Sequence, residues 1–259
     1  MQLSIYSCFM LLAIAVFAIT RWKLSHTHAI RALPWKQRLA IIVAGFCGGT
    51  LGAKLPFAVG LIEGVPAGWF SDGKTVTTGI IGGYLAIELI KLVMGVRVKT
   101  GDSFALPLAL AMTIGRWGCF FGGCCYGIES TMPWAVDFGD GIRRHPTQLY
   151  ESFFHLVMAT FLVYATAKDI LPRQKLKLYL ICYAVFRFAT EFIRPAEVWW
   201  LGLTWYQWVV AAMAVALMIQ WWLDSRSGPL ESDLTGTGSV CRSREKLLSN
   251  DPKSCTPVS

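Results

Sequence analysis

Seven long apolar stretches, separated by short polar ones, dominate this chain of 259 residues. A helix needs about 20 mostly apolar residues to cross a bilayer, and each stretch is close to that length. Only 15% of the residues are charged, whereas soluble domains carry roughly 25%. The pattern predicts an all-α polytopic membrane protein with about seven transmembrane helices. The predicted spans are 2–20, 39–60, 76–95, 104–123, 149–167, 176–193 and 203–223.

The two ends of the chain differ in composition. The first stretch has no charged residue before it and no small-residue cleavage site after it, which favours a retained span over a cleaved signal peptide. Residues 224–259 are rich in Ser, Gly, Thr and Pro and carry mixed charges. Such segments bury too little apolar surface to fold alone. We therefore predict a transmembrane domain over 1–223 and a disordered tail over 224–259.

The basic residues predict the orientation. Lys and Arg are concentrated in the loops after spans one, three and five, whereas the loop after span two has Lys74 against Glu63 and Asp72. Because cytoplasmic loops carry the excess of Lys and Arg, the N-terminus is expected outside and the tail in the cytoplasm. The net charge of +8 is thus concentrated in the loops, and no basic tract is interleaved with aromatic residues outside the spans. Nucleic acid is not an expected partner.

This orientation brings unusual polar residues of several spans to one depth, on the outer side. An ionisable residue inside a membrane segment is expensive and therefore suggests a function. A glycine pair in span three and a basic residue in span two are expected at the same depth. The residues are Lys54, Gly82, Gly83, Arg116, His145, Gln148, Tyr150, Glu151, Arg187, Glu191, Arg194 and Gln207.

Three arginines in this group suggest an anion site. The guanidinium groups of Arg116, Arg187 and Arg194 stay charged and suit a phosphate held by two hydrogen bonds, here that of a phospholipid headgroup. Alternatively, Arg187 and Glu191, four residues apart, form a structural ion pair. His145 can act as a base or be only a turn residue. The glycines around Arg116 serve helix packing or turn backbone N–H groups towards a ligand.

Eight cysteines are present, and three of them are close together as Cys119-x4-Cys124-Cys125. This cluster lacks the second Cys or His pair that a tetrahedral zinc site needs, so neither a metal nor a cofactor is expected. On the oxidising side of a membrane, Cys119 and Cys124 could instead cycle through a disulfide, which leaves a thiol-redox protein as an alternative. A transporter is a further alternative, but no inverted repeat is seen.

Several of these motifs resemble those of the prolipoprotein diacylglyceryl transferase family. They are Gly115-Arg116-x-Gly118, then His145-Pro-Thr-Gln-Leu-Tyr-Glu151, then Phe186-Arg187 through Glu191 to Arg194, and finally Gln207. The resemblance implies transfer of the diacylglyceryl group of phosphatidylglycerol to the cysteine thiol of an exported lipoprotein precursor, with release of glycerol phosphate. It also implies a bacterial cytoplasmic (inner) membrane enzyme whose site faces the outer leaflet.

The resemblance further implies a role for each residue. The phosphate ligands would be Arg116, Arg194 and Gly127. The catalytic residues would be Arg187, His145, Glu191 and Glu151. The other residues lining the site would be Cys119, Cys124, Tyr150, Gln148, Gln207, Gly82, Gly83 and Lys54.

The chain also departs from the family pattern. Ile81 stands where the family has a His before the glycine pair, so the base stays open. Cys119 and Cys124 replace an Asn and a Glu, and Thr50 replaces an Arg, with Lys54 one turn later. A related lipid-transfer enzyme with another acceptor therefore remains an alternative.

Overall fold

Seven α-helices follow one another in a computed structural model that describes residues 2–25, 33–59, 75–96 and 99–226. A 3₁₀ turn (Glu191–Ile193) follows the sixth helix. The long loop between the fourth and fifth helices contains two short strands, β1 (Val136–Asp137) and β2 (Arg143–Arg144). The helices are α1 (Gln2–Ser25), α2 (Trp35–Ala58), α3 (Val76–Val93), α4 (Asp102–Phe121), α5 (Thr147–Ala167), α6 (Lys175–Thr190) and α7 (Trp205–Arg226).

The predicted fold class is confirmed. Six of the helices, all except α6, are long and apolar enough to cross a membrane by length and composition. The sixth has 16 residues and is continued by the 3₁₀ turn. At the C-terminal end, α7 runs three residues beyond the predicted span, to Arg226. The rest of the predicted tail lies outside the described residues.

By its internal contacts the chain divides into a unit over Met1–Trp221 and a second over Trp222–Ser259. The first contains the candidate site and everything described below. In the second, the structure describes only the last residues of α7, where the Arg226 guanidinium lies 3.7 Å from the centre of the Trp222 ring.

Helices α2 and α3 pack closely because glycines face one another. A Cβ atom added to Gly82 would lie 2.4 Å from the carbonyl oxygen of Gly48 and 2.9 Å from the Cα of Gly52. Small residues let backbones approach where lipid supplies no hydrophobic driving force. Gly82, predicted as a site-lining residue, therefore lies in the packing contact between these two helices.

Helices α4, α5, α6 and α7 surround a small core. Ala105 and Ala109 of α4, Leu162 of α5 and Tyr179 and Leu180 of α6 are almost fully buried there. The Ser152 hydroxyl of α5 donates a hydrogen bond of 2.9 Å to the carbonyl of Thr113 in α4. This packing aligns the end of α4 with the start of α5, and we call this end of the helices the Glu151 end.

An apolar cavity of about 850 Å³ lies among α1, α2, α3, α4 and α6. Phe104 and Leu108 of α4 and Gly83 of α3 line it, and Arg38 and Glu88 contribute polar groups. Arg116 lies eight residues after Leu108, about 12 Å further along α4. The cavity is therefore distinct from the polar cluster at the Glu151 end.

The loop between α4 and α5 is tied to the end of α6. The backbone N–H of Ile128 donates to the carbonyl of Ile193 at 2.9 Å, and β1 pairs with β2 in antiparallel register. The Asp137 carboxylate accepts hydrogen bonds from the N–H groups of Gly139, Asp140 and Gly141. This loop therefore has a defined fold. Its two ends, which join α4 and α5, lie at the Glu151 end of the helices.

Candidate functional site

The centre of the site is Glu151, whose side chain is 1% exposed. One carboxylate oxygen accepts hydrogen bonds from the guanidinium of Arg116 and from the hydroxyl of Tyr183, the latter at 2.9 Å. The other oxygen accepts from Arg194 at 3.1 Å. The end of α4, the start of α5 and the segment after α6 thus meet on one carboxylate.

A second ion pair lies beside the first. The guanidinium of Arg187 is 2.7 Å from the carboxylate of Glu191, so the ion pair considered as the alternative for these two residues is present. The same guanidinium lies 5.8 Å from the centre of the Tyr206 ring of α7. Both side chains of the pair are buried. Arg187 therefore contacts a neighbouring helix as well as its own.

The cluster carries more positive than negative charge. Three guanidinium groups face two carboxylates, so one positive charge is left over. In addition, the Nε atoms of Arg116 and Arg194 are buried and have no hydrogen-bond partner within the described part of the chain. Buried donors without partners cost free energy unless a ligand or water satisfies them. The arrangement can therefore bind an anion such as a phosphate.

Two residues behind Glu151 were missed by the sequence analysis. His155 is fully buried, with Nδ1 2.9 Å from the Tyr179 hydroxyl and Nε2 3.8 Å from Glu151. Tyr183, which donates to Glu151, lies one turn after Tyr179 on α6. The signal was present, because His155 follows Glu151 by four residues and therefore shares its helix face.

His145 lies in the loop, away from the carboxylates. Its Nδ1 is 3.2 Å from the hydroxyl of Tyr150, which also accepts a hydrogen bond of 2.7 Å from the Trp134 indole. The imidazole therefore packs on Tyr150, and the structure gives no hydrogen bond between it and Glu151 or Arg116 within the residues described.

Gly127 and Gln148 fix the loop to the helices. The N–H of Gly127 donates to the carbonyl of His145 at 2.9 Å, so this donor is already used and is not offered to a phosphate. A Cβ here would lie 2.5 Å from the carbonyl oxygen of Ile193, which explains the glycine. The buried Gln148 amide donates to the carbonyl of Cys124 at 2.6 Å.

The other predicted residues lie at helix contacts. Gln207, also buried, accepts from the N–H of Thr204 and donates to the carbonyl of Phe188, which joins α7 to α6. Gly82 lies in the α2–α3 contact and Gly83 lines the apolar cavity. Lys54 is half-buried in the last turns of α2.

The three clustered cysteines come together more closely than their spacing suggested. The sulfur atoms of Cys119, Cys124 and Cys125 all lie within 4.8 Å of one another. The pKa of the Cys125 thiol lies below its ordinary value, because Cys119 and Cys124 hydrogen-bond to it and because Arg116 and Arg194 lie within electrostatic range. Counting possible metal ligands along the sequence did not predict that these three sulfur atoms lie together.

The chain is similar to proteins of one family over most of its length. The family model described as prolipoprotein diacylglyceryl transferase matches residues 1–223. A Clostridium tetani protein called phosphatidylglycerol–prolipoprotein diacylglyceryl transferase is 33% identical over 59% of this chain and 66% of its own length. A Methylococcus capsulatus protein of the same name is 32% identical over 66% of this chain and 67% of its own length.

A Clostridium perfringens relative, called phosphatidylglycerol–prolipoprotein diacylglyceryl transferase 2, is 34% identical over 48% of this chain and 52% of its own length. The chain therefore spans about half to two thirds of the length of these three curated relatives.

Proposed function

Because the chain belongs to the prolipoprotein diacylglyceryl transferase family, we propose that it transfers the diacylglyceryl group of phosphatidylglycerol to a cysteine thiol of an exported lipoprotein precursor. The observation that carries this proposal is the buried bridge of Arg116 and Arg194 on Glu151, in which both Nε donors lack a partner among the described residues. Glycerol phosphate is the leaving group.

The arginines suit the leaving phosphate. Glu151 holds Arg116 and Arg194 in place through one terminal nitrogen each, which leaves the other side of each guanidinium for a second anion. Guanidinium groups bind phosphate in two-point contacts, and fixed donors stabilise charge that develops in the transition state. Arg187, held by Glu191, adds a third cation beside the site.

The apolar cavity suits the acyl chains. Its volume of about 850 Å³ lies within the range of ligand sites. It begins about 12 Å along α4 from Arg116, which is the direction in which the chains of a phospholipid extend when its phosphate is bound by the arginines. The lining of Phe104, Leu108 and Gly83 is apolar.

The proposal includes an orientation. The basic loops after α1, α3 and α5 support an N-terminus outside, and on this basis we propose that the Glu151 end faces the outer leaflet of the bacterial inner membrane. There the site meets both the lipid headgroup and the precursor after its export. Phosphatidylglycerol, the precursor and the bilayer are the proposed partners.

The test uses the whole chain in nanodiscs. With phosphatidylglycerol present, a peptide containing the cysteine region of a lipoprotein precursor is expected to gain a diacylglyceryl group, seen by mass spectrometry, and glycerol phosphate is released. Arg194→Lys is expected to lower the rate by at least about tenfold, since a lysine cannot reproduce the two-point geometry. The matched control is Arg144→Lys on the β-hairpin, which keeps its pairing with Asp140.

Two results would contradict the proposal. One is the absence of transfer to the peptide from phosphatidylglycerol. The other is equal transfer from phosphatidylethanolamine, which would favour a related lipid-transfer enzyme. A peptide with serine in place of cysteine is expected to stay unmodified.

A further inference from the structure

The three sulfur atoms of the cysteine cluster have nearly the geometry of a metal site. Zinc binds thiolates at about 2.3 Å, and tetrahedral angles then place the sulfurs about 3.8 Å apart. Cys119, Cys124 and Cys125 have all their sulfurs within 4.8 Å of one another. Shifts of about 1 Å or less, which side-chain rotation can supply, would therefore bring all three onto one ion.

The backbone holds the cluster in this arrangement. Cys119 lies in the last turn of α4, and the N–H of Cys124 donates to its carbonyl at 3.1 Å, so the chain folds back on the end of the helix. Cys125 has a φ of 64°, a left-handed conformation that costs a non-glycine residue free energy. In this conformation of Cys125, its sulfur lies close to those of Cys119 and Cys124.

Side chains of α5 fix the same turn from the other side. The Gln148 amide donates to the carbonyl of Cys124 at 2.6 Å, and the Thr147 hydroxyl donates to the carbonyl of Cys125 at 2.7 Å. Both side chains are buried. Rigid support of this kind is what a ligand set needs to bind a metal tightly.

The ligand count and the surroundings indicate which kind of site this is. Thiolates select zinc and other soft cations, and three protein ligands with a fourth position open are typical of catalytic zinc rather than structural zinc. Within the described residues, the group of possible ligands contains only these three. Cys125 is exposed, so both an ion and a further ligand can reach the cluster.

Nearby cations stabilise the charge of such a site. Three thiolates and one Zn²⁺ carry one negative charge in total, and a fourth thiolate makes two. Arg116 lies one turn before Cys119 on α4, and Arg116 and Arg194 are both within electrostatic range of Cys125. The negatively charged zinc complex would therefore lie beside the cluster of three arginines and two glutamates, which has one excess positive charge.

We propose that Cys119, Cys124 and Cys125 bind one zinc ion through three thiolates, and that the fourth coordination position binds the thiol of the acceptor cysteine. The second half of this proposal rests on the proposed function. On binding, the acceptor S–H loses its proton to solvent, because a thiol that coordinates zinc is deprotonated. The electron pair of that sulfur then forms the C–S bond to the glycerol carbon, while the C–O bond breaks and its electron pair leaves on the phosphate oxygen.

Such a site removes the need for a nearby base. Among the histidines near the site in the described part of the chain, His155 is fully buried and His145 packs on Tyr150. Zinc would supply a thiolate at neutral pH without any of these imidazoles.

Metal content tests the first half. The purified chain, dialysed against zinc and then freed of loose metal, is expected to retain one zinc ion per chain. Cobalt substituted for zinc is expected to show thiolate-to-metal charge-transfer absorption. Cys119→Ser, Cys124→Ser and Cys125→Ser are each expected to weaken zinc binding by at least about tenfold. The matched control, Cys182→Ser in α6, is expected to leave zinc binding unchanged.

Three outcomes overturn the site: a zinc-free chain with three freely alkylated thiols, a Cys119–Cys124 disulfide found by mass spectrometry of the non-reduced protein, or zinc that stays bound in all three variants. The disulfide would favour the thiol-redox alternative. Gln148→Ala, which leaves all three sulfurs in place, is expected to weaken binding as well, and this checks the supporting role of α5 separately.

The acceptor peptide tests the second half. Adding it to the cobalt-loaded chain is expected to increase the charge-transfer absorption as a fourth thiolate binds, whereas the serine peptide leaves the spectrum unchanged. This readout does not depend on lipid transfer. An unchanged spectrum in a chain that transfers lipid would overturn the fourth-ligand assignment alone, and a changed spectrum without transfer would overturn the proposed function alone.

Discussion

At the scale of single residues, Glu151 is the carboxylate on which several buried polar contacts meet. It is buried, it accepts hydrogen bonds from two arginines and a tyrosine, and His155 lies 3.8 Å from it. A buried carboxylate is tolerated only when cations and donors surround it. The reverse also holds, because Arg116, which is buried, and Arg194, whose side chain is 13% exposed, both depend on the charge of Glu151.

Replacement of Glu151 by glutamine is expected to destabilise the protein by roughly 3–5 kcal/mol, since the buried guanidinium of Arg116 and the largely buried one of Arg194 lose their counter-charge. Denaturant unfolding in detergent, followed by circular dichroism, measures the change. Glu129→Gln, at an exposed position of the loop, is the control and is expected to change stability little. Equal stability of the two variants would show that the bridge does not hold the helix ends.

Loss of the Tyr183 hydroxyl is expected to have a smaller effect. Tyr183→Phe removes one hydrogen bond to a charged group, worth about 1.5–3 kcal/mol, and leaves the ring packing intact. Tyr164→Phe on the exposed face of α5 is the matched control. A thermal unfolding curve that moves equally in both variants would contradict the contact.

Much of the site could be predicted at this scale. The charges of Arg116, Glu151, Arg187, Glu191 and Arg194 stand out within apolar stretches, and topology alone brings them to one end. His155 and Tyr183 were not predicted, because the sequence of an apolar helix does not distinguish an aromatic residue or single His that only packs from one that forms a hydrogen bond. The convergence of three sulfurs was also missed, since the turn after α4 depends on the φ of Cys125.

At the scale of elements, the lengths of the apolar stretches predicted the helices, and glycines decide how two of them pack. The loop between α4 and α5 was the least predictable part. Its fold depends on the Asp137 carboxylate accepting three N–H groups and on Arg143 bonding to the carbonyls of Pro133 and Ala135. Such contacts follow from turn geometry and not from hydrophobic pattern.

The α2–α3 contact gives a test at this scale. Gly82→Ala is expected to destabilise the protein by about 1–3 kcal/mol, because its Cβ would lie 2.4 Å from a backbone oxygen that cannot move aside easily. Gly49→Ala in the same contact is the control, since the nearest atom there is 3.6 Å from the added Cβ. Thermal unfolding of both variants in one detergent compares them directly.

At the scale of the whole molecule, the basic loops predict which side of the membrane each end of the helices faces. Both the proposed transfer and the proposed zinc site need the Glu151 end outside, where an exported precursor arrives. The chemistry proposed at Arg116 and Cys125 therefore depends on the orientation that the loop charges predict.

Labelling of single-cysteine chains tests the orientation. In spheroplasts, a membrane-impermeant maleimide is expected to modify a chain that keeps Cys125 alone, because this residue is exposed at the Glu151 end. A chain whose only cysteine is Asp169→Cys, in the exposed turn after α5, is expected to react only after lysis. The opposite pattern would mean that the site faces the cytoplasm.

The short sixth helix has a consequence for the surrounding lipid. Helix α6 has 16 residues and is therefore about 24 Å long, whereas the hydrocarbon layer is about 30 Å thick. This hydrophobic mismatch favours local thinning of the bilayer beside α6, which draws lipid phosphates inward, towards Arg187. Turnover should therefore depend on acyl-chain length even when the headgroup is constant.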